Sequence, residues 1–385
     1  MSVRKRIWTT AAGESREAWL VGYRDGEGNR RFETFERKKD ADLRAAEVKT
    51  SRSKVVAPSR SITLAQACDN WIKQAEVDGI EKATLLYFKQ HVKYYFVPLL
   101  GQKKLCDFSA PDFTAFEAQL MRGLNAKGQP MTPAMARKLR GSLSSILSLA
   151  VDQGLVARNV VRDRGRRRRG TRAEKRAVTK LKVGVDIPLP HEIAAILSHC
   201  KPRWRPVLAT AAMTGLRASE LRGLKWQDVD LKKRELHVRQ RADRYNTLGP
   251  LKSGTSNRVV PLHGDLVSIL REWKLACPIG EFVFPNGKGK VDELTNIVNR
   301  GWKPSQVAAG VVDRDGAAKY TGFHSLRHFF ASWCINSKAD GGLGVSPKVV
   351  QSWLGHATIA MTLDTYGHLF PSDGGMAEAP SLLAQ

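Results

Sequence analysis

The stretch from Arg158 to Arg176 sets the strongest limit on any fold this chain can adopt. It carries few apolar side chains to bury and is almost entirely cationic. It therefore reads as a flexible linker that lies along a phosphate backbone when bound, with Arg166, Arg167, Arg168 and Arg169 as its densest cluster. A nuclear-localisation signal is a weaker reading of the same run. Compact structure is expected on either side of it, and the remaining patterns divide accordingly.

The charge of the whole chain agrees with a polyanionic partner. Across 385 residues, 63 Lys and Arg face 37 Asp and Glu, a net charge of +26. Nucleic acid or an anionic membrane surface would answer such an excess. No stretch approaches the roughly 18 apolar residues that span a bilayer, and no apolar segment follows the basic start MSVRKRIW, so neither a membrane anchor nor a signal peptide is expected. The five cysteines, Cys68, Cys106, Cys200, Cys277 and Cys334, are odd in number, scattered and without a CxxC pair. That suits a reducing cytosol and argues against a disulfide scaffold or a thiolate zinc site. Nucleic acid is the better expectation.

Residues 1–60 alternate like three short strands, at Arg6–Trp8, Trp19–Tyr23 and Arg30–Phe35, with a turn at Asp25–Asn29. A charged helix follows over Lys38–Lys49. Residues 61–157 are patterned as a helical bundle. Thr63 caps one helix, a second stops at Pro98 and Gly101, a third spans Pro111–Met121, and a fourth runs from Thr132 to Gly154. After the linker, 158–179, a second compact region covers 180–370, with helices at Pro190–Cys200 and Pro206–Met213. Strands follow at Arg234–Gln240 and Arg258–Leu262, and helices return from Leu294. The expected fold is therefore multidomain and mainly α, with a small N-terminal sheet, a helical domain and a mixed α+β domain. The end of the chain, 371–385, is a short tail.

Several residues in the last domain carry chemistry. Gly215 precedes a helix, placing Arg217 in its first turn. A cation there opposes the helix dipole unless an anion joins it. Glu220 lies three residues on, on the same side, able to orient the guanidinium. Lys252 sits in a Ser- and Gly-rich connection between two strands, where a lone lysine is ordinarily just solvated. In TGFHSLRHFFASW, His324, Arg327 and His328 fall within about one helical turn. A metal would need three or four ligands; the two histidines supply two, and no HExxH or thiolate cluster completes them. A phosphate needs other donors, which the chain has. His356 and Tyr366 follow, the latter readable as a half-buried aromatic with its hydroxyl paired.

Taken in order, Arg217 with Glu220, Lys252, His324-x-x-Arg327, Leu354-Gly355-His356 and Tyr366 resemble the signature of the tyrosine recombinases, and among them the phage and integrative-element integrases of the lambda type. The resemblance implies an arm-type DNA-binding domain at 1–60, a core-binding domain at 61–157 and a catalytic domain at 180–370. It implies cleavage and rejoining of DNA through a 3′-phosphotyrosyl link, with neither metal nor ATP. Tyr366 would be the nucleophile, Arg217, Arg327 and His356 the phosphate clamp, His324 the acid/base, Lys252 the general acid and Glu220 a support. It further implies a homotetramer on attachment sites in the cytoplasm at the nucleoid. A DNA-bending host factor and an excisionase-type directionality factor would be further partners. Two alternatives remain at this stage: a DNA-binding regulator that keeps the fold without catalysis, and a type IB topoisomerase.

Overall fold

The computed structural model describes residues 2–9, 15–24, 30–51, 62–123, 128, 130–167, 180–251 and 256–370. The chain divides into two compact units, Met1–Ala173 and Glu174–Gln385.

The first unit begins with an antiparallel meander of β1 (Ser2–Thr9), β2 (Ser15–Arg24) and β3 (Arg30–Phe35). Val3 pairs with Val21 and Trp19 with Phe35. The helix Lys38–Ser51 lays Ala41 and Ala45 onto Val21, closing a very small core. Phe32 and Ile7 remain exposed beside basic strand residues. The expected turn at Asp25–Asn29 lies outside the described residues.

The helices that follow start where their caps dictate. Thr63 and Gln66 form a reciprocal capping box ahead of Leu64–Val77, and the Thr132 hydroxyl accepts from the Met135 N–H ahead of Pro133–Asp152. Leu64, Phe96, Phe113, Phe116, Leu139, Leu143 and Ile146 make the core between them. Two sequence expectations change. Pro98 does not stop the second helix. Lys82–His91 runs through a π-helical turn, Val92–Phe96, into Val97–Leu100, and the chain turns only at Gly101. The widened turn leaves room for a proline ring that would otherwise clash inside a regular helix. The expected linker also starts as helix, Val160–Arg167. Asn159 caps it, its side-chain oxygen accepting from Arg162 N, and Val161 is buried in the bundle core.

The second unit packs helices around a three-stranded antiparallel sheet. Its strands are β4 (Val229–Asp230), β5 (Glu235–Val238) and β8 (Arg258–Pro261), in the order β4-β5-β8, with Leu236 opposite Val260. A separate hairpin pairs β6 (Gln240–Ala242) with β7 (Leu248–Pro250). Leu208, Leu236, Val260, Leu266, Val283 and Trp302 centre the main core. After its exposed first residue, Arg205–Thr214 carries only apolar side chains and two buried threonines, which suits a helix covered on nearly every side. The helix Ser325–Ile335 packs on it. Phe330, Cys334, Val350, Leu354 and Tyr366 form a second cluster that joins Ser325–Ile335 to Pro347–Leu354 and Ile359–Tyr366. Among the described residues no helix is long and apolar enough to cross a membrane.

Candidate active site

Two glycines build the site's frame. Gly215 ends Arg205–Thr214 and Gly355 ends Pro347–Leu354, both left-handed, with φ of 60° and 64°. A side chain at Gly215 would place its Cβ 2.4 Å from Phe330 Cδ1, and at Gly355 2.8 Å from Arg258 Nη1. Only glycine meets both conditions without strain. Each turn aims a carbonyl inward. Arg327 Nη1 donates to Gly215 O at 2.6 Å, and Arg217 Nη2 donates to Gly355 O at 2.9 Å.

The end of Pro347–Leu354 does more. Its successive carbonyls at Trp353, Leu354 and Gly355 accept from Arg258 Nε (2.6 Å), Arg327 Nη2 (2.6 Å) and Arg217 Nη2 (2.9 Å). Carbonyls at a helix C-terminus lack partners within the helix and sit at its negative pole, so a fan of guanidinium groups satisfies both needs. Glu220, with its side chain 2% exposed, lies between two of these cations. Its carboxylate accepts from Arg217 Nη1 at 2.7 Å and from Arg258 Nη2 at 2.8 Å, and also from the Arg217 backbone N–H at 2.9 Å. Burial alone would raise Glu220. Hydrogen bonding and charge from Arg258, then Arg217, more than offset it and hold the carboxyl below its usual range. Arg217 is the N-cap of Ala218–Arg222, one residue earlier than its expected place in the first turn.

One carboxylate thus faces three guanidinium groups, and the excess is positive. Burial and then Arg217 push Arg327 down to about 9, which still leaves it charged at neutral pH. The imidazoles are pushed the same way, far enough to lose their charge. His324 caps Ser325–Ile335 and its residue surface is largely open, yet the protein mass around the ring, then His328, Arg327 and Arg217, push it down to about 4. His356 is also pushed down to about 4, by burial and then by Arg327, Arg217 and Arg258. Both rings are therefore neutral near pH 7. His356 is held by its backbone N–H on Gln351 O at 3.1 Å and by Nδ1 at 2.9 Å from the buried Thr362 hydroxyl.

Tyr366 closes the site. It is 1% exposed, its ring lies parallel to that of His356 at 6.5 Å between centroids, and its hydroxyl is 2.8 Å from His328 Nδ1. Burial pushes the phenol up to about 12, with Arg327 opposing.

The structure thus gathers Arg217, Glu220, His324, Arg327, His356 and Tyr366. Lys252 lies outside the described residues, though the chain resumes at Ser256, whose carbonyl accepts from Arg258 Nη1 at 3.0 Å. Arg166 and Arg167 end the helix Val160–Arg167, and Arg168 and Arg169 lie outside the described residues, as does the tail from 371. Sequence reasoning missed two members. Arg258 reads as one polar position of an alternating strand, and only its pairing with Glu220 sets it apart. His328 was visible four residues after His324, but weighed as a metal ligand. Its ring meets His324 edge-on at 4.8 Å and turns Nδ1 to the phenol. Among the described residues no three His, Cys, Asp or Glu side chains gather around a common metal position.

Comparison with known proteins follows the same lines. Residues 189–372 match the model of the phage integrase family. A tyrosine recombinase XerC-like protein of Caldanaerobacter subterraneus subsp. tengcongensis is 24% identical over 363 residues, 87% of this chain and 86% of that protein. Among solved structures, the Tn1549 transposon integrase in complex with a circular intermediate DNA superposes with a TM-score of 0.63 at 18% identity, over 83% of this chain and 98% of that one. A lambda integrase tetramer bound to a Holliday junction gives a TM-score of 0.55 at 19% identity, over 91% of this chain and 95% of that one.

Proposed function

From the phage integrase family domain that residues 189–372 form, we infer that this chain is a site-specific tyrosine recombinase that cleaves and rejoins DNA to integrate or excise a mobile element. The observation that carries the reading is the position of Tyr366, a phenol oxygen held beside a cluster of guanidinium and imidazole groups with an unanswered positive charge.

The chemistry follows from what each group has left to offer. A guanidinium has five N–H bonds. Arg258 makes its four hydrogen bonds to protein acceptors and is buried, so it braces the site. Arg217 keeps donors to spare, and its side chain is 34% exposed. Arg217 with Arg327 behind it grips the non-bridging oxygens of a scissile phosphate, where charge grows as phosphorus becomes five-coordinate. His356, with Nδ1 committed to Thr362, offers Nε2 to the same oxygens. His324, exposed at its helix start, is the group proposed to assist proton transfer at the phosphate. Tyr366 attacks phosphorus, the bond to the 5′ oxygen breaks, and Lys252 gives that oxygen its proton. The 3′-phosphotyrosyl bond keeps the energy of the broken link, so a 5′ hydroxyl of another strand rejoins it without ATP.

Fold likeness to lambda integrase supports a homotetramer acting on paired attachment sites, and the arginines 166–169 are proposed to bind the DNA backbone. A DNA-bending host factor and an excisionase-type factor are proposed as further partners, and the cytoplasmic nucleoid as the place of action. The test is a nicked duplex carrying the attachment site. The wild-type chain is expected to leave a denaturation-resistant adduct, and Tyr366→Phe to bind the site equally well and leave none. An adduct that persists in Tyr366→Phe overturns the nucleophile. Tight binding without any adduct in the wild type favours a non-catalytic DNA-binding protein.

A further inference from the structure

A phenol that is 1% exposed cannot hand its proton to bulk water. A side chain must take it, and the groups around Tyr366 narrow the choice. Arg327 is a cation without acceptor capacity. His356 faces the ring of Tyr366 in parallel, 6.5 Å between centroids, and spends Nδ1 on Thr362. His324 meets His328 edge-on, not the phenol. The nitrogen on the hydroxyl is His328 Nδ1, at 2.8 Å.

We propose that His328 is the catalytic base for Tyr366, taking the phenol proton as the phosphotyrosyl bond forms and returning it when that bond is broken. The proposal rests on the recombinase reading of the same site. It moves the proton transfer expected of His324 to the imidazole one helical turn further on, and leaves His324 to the phosphate.

The step balances. The Tyr366 oxygen forms its bond to phosphorus, the P–O5′ bond breaks, the phenol proton passes to His328 Nδ1 and the ring becomes an imidazolium. The departing 5′ oxygen takes its proton from the general acid. Rejoining runs the same transfers backwards. For Nδ1 to accept, the neutral ring carries its own proton on Nε2. Neutrality at working pH is secured by surroundings: burial lowers His328, Arg327 on the same helix lowers it further, and Asp186, from the segment before Pro190–His199, opposes them. His324 adds a neutral ring on the same helix, and Tyr366 comes from the helix Ile359–Tyr366. A neutral imidazole against a phenol near 12 is a weak base, so transfer has to run together with attack.

The experiment compares His328→Asn and His328→Gln with wild type in single-turnover adduct formation on the nicked duplex, full chain, with site binding measured alongside. Asn places an amide where Nδ1 was and can hold the hydroxyl without accepting its proton. Both variants are expected to bind the site normally and to form adduct at least roughly a hundredfold more slowly. The wild-type rate falls as pH drops through the His328 pKa, and the variants lose that acid limb. A ring-fluorinated tyrosine at 366, whose phenol ionises near neutral pH, is expected to close most of the gap between His328→Asn and a chain carrying the same fluorinated tyrosine with His328 intact. Wild-type rates in both variants overturn the proposal, as does a slow variant that fluorinated tyrosine leaves slow, which makes His328 a positioning group only. A faster variant overturns it too, making His328 a latch on the nucleophile. Each of these results leaves the recombinase reading standing, because that reading fails only if the wild-type adduct is absent or does not need Tyr366.

Discussion

Replacing Glu220 with glutamine removes the one carboxylate among three guanidinium groups while keeping its shape. The structure sets the size of the effect. The Glu220–Arg258 pair is desolvated on both sides, with side chains 2% and 4% exposed, while Arg217 is 34% exposed and its share is screened. Breaking a buried pair by neutralising one partner costs about 3–5 kcal/mol, because the other charge is left without its counter-ion. The glutamine amide adds to this by turning an N–H donor toward guanidinium donors. Loss of about 3–5 kcal/mol is therefore expected, carried by Arg258. Urea denaturation of the full chain at pH 7 measures it. Two further signatures separate electrostatics from simple packing damage. Inorganic phosphate should stabilise Glu220→Gln more than wild type, since the vacated charge welcomes an anion. The pH profile should also change. Glu220 is held below its unfolded value of about 4.3, so its contribution is full above that pH and is lost as pH falls through the lower folded value. Wild type should lose stability in that acid window, and Glu220→Gln should lack that component. A loss under about 1 kcal/mol, with an unchanged acid limb, would refute the idea that this carboxylate anchors the arginine cluster.

Gly355→Ala should cost about 1–2 kcal/mol for the left-handed backbone alone. It should cost more for a Cβ 2.8 Å from Arg258 Nη1, a nitrogen already fastened to Glu220 and to Ser256 O; thermal stability and the adduct rate should fall together. If the arginine-rich run reaches DNA, raising salt from 50 to 200 mM should weaken site binding by about a thousandfold or more, and changing Arg166–Arg169 to glutamine should flatten that slope. A flat profile in the wild type would detach the run from the DNA.

Much of the site was legible because its parts obey local rules. Thr63 and Thr132 cap helices by chemistry that a short window shows. Arg217, His324, Arg327, His356 and Tyr366 stand in a recognisable order. What escaped depends on distant partners. Arg258 matters because Glu220, 38 residues earlier, and the Trp353 carbonyl, 95 later, meet it in space. His328 shares a helix turn with His324, and only the fold decides that its nitrogen meets Tyr366 and not a metal. The π-helical turns at Val92–Phe96 and Ile297–Trp302 insert an extra residue that blurs a 3.6-residue period, so Pro98 looked like a stop. The helix Val160–Arg167 was hidden by its charge, since eight residues with two valines look solvated until Val161 finds the bundle core.

On the proposed function, Tyr366 is the group that becomes joined to DNA. Digesting the adduct trapped on a nicked duplex and sequencing the modified peptide by mass spectrometry tests this directly. The expected result is a nucleotide 3′-phosphate on the peptide containing Tyr366. A nucleotide on another residue, or joined through a 5′-phosphate, would contradict it.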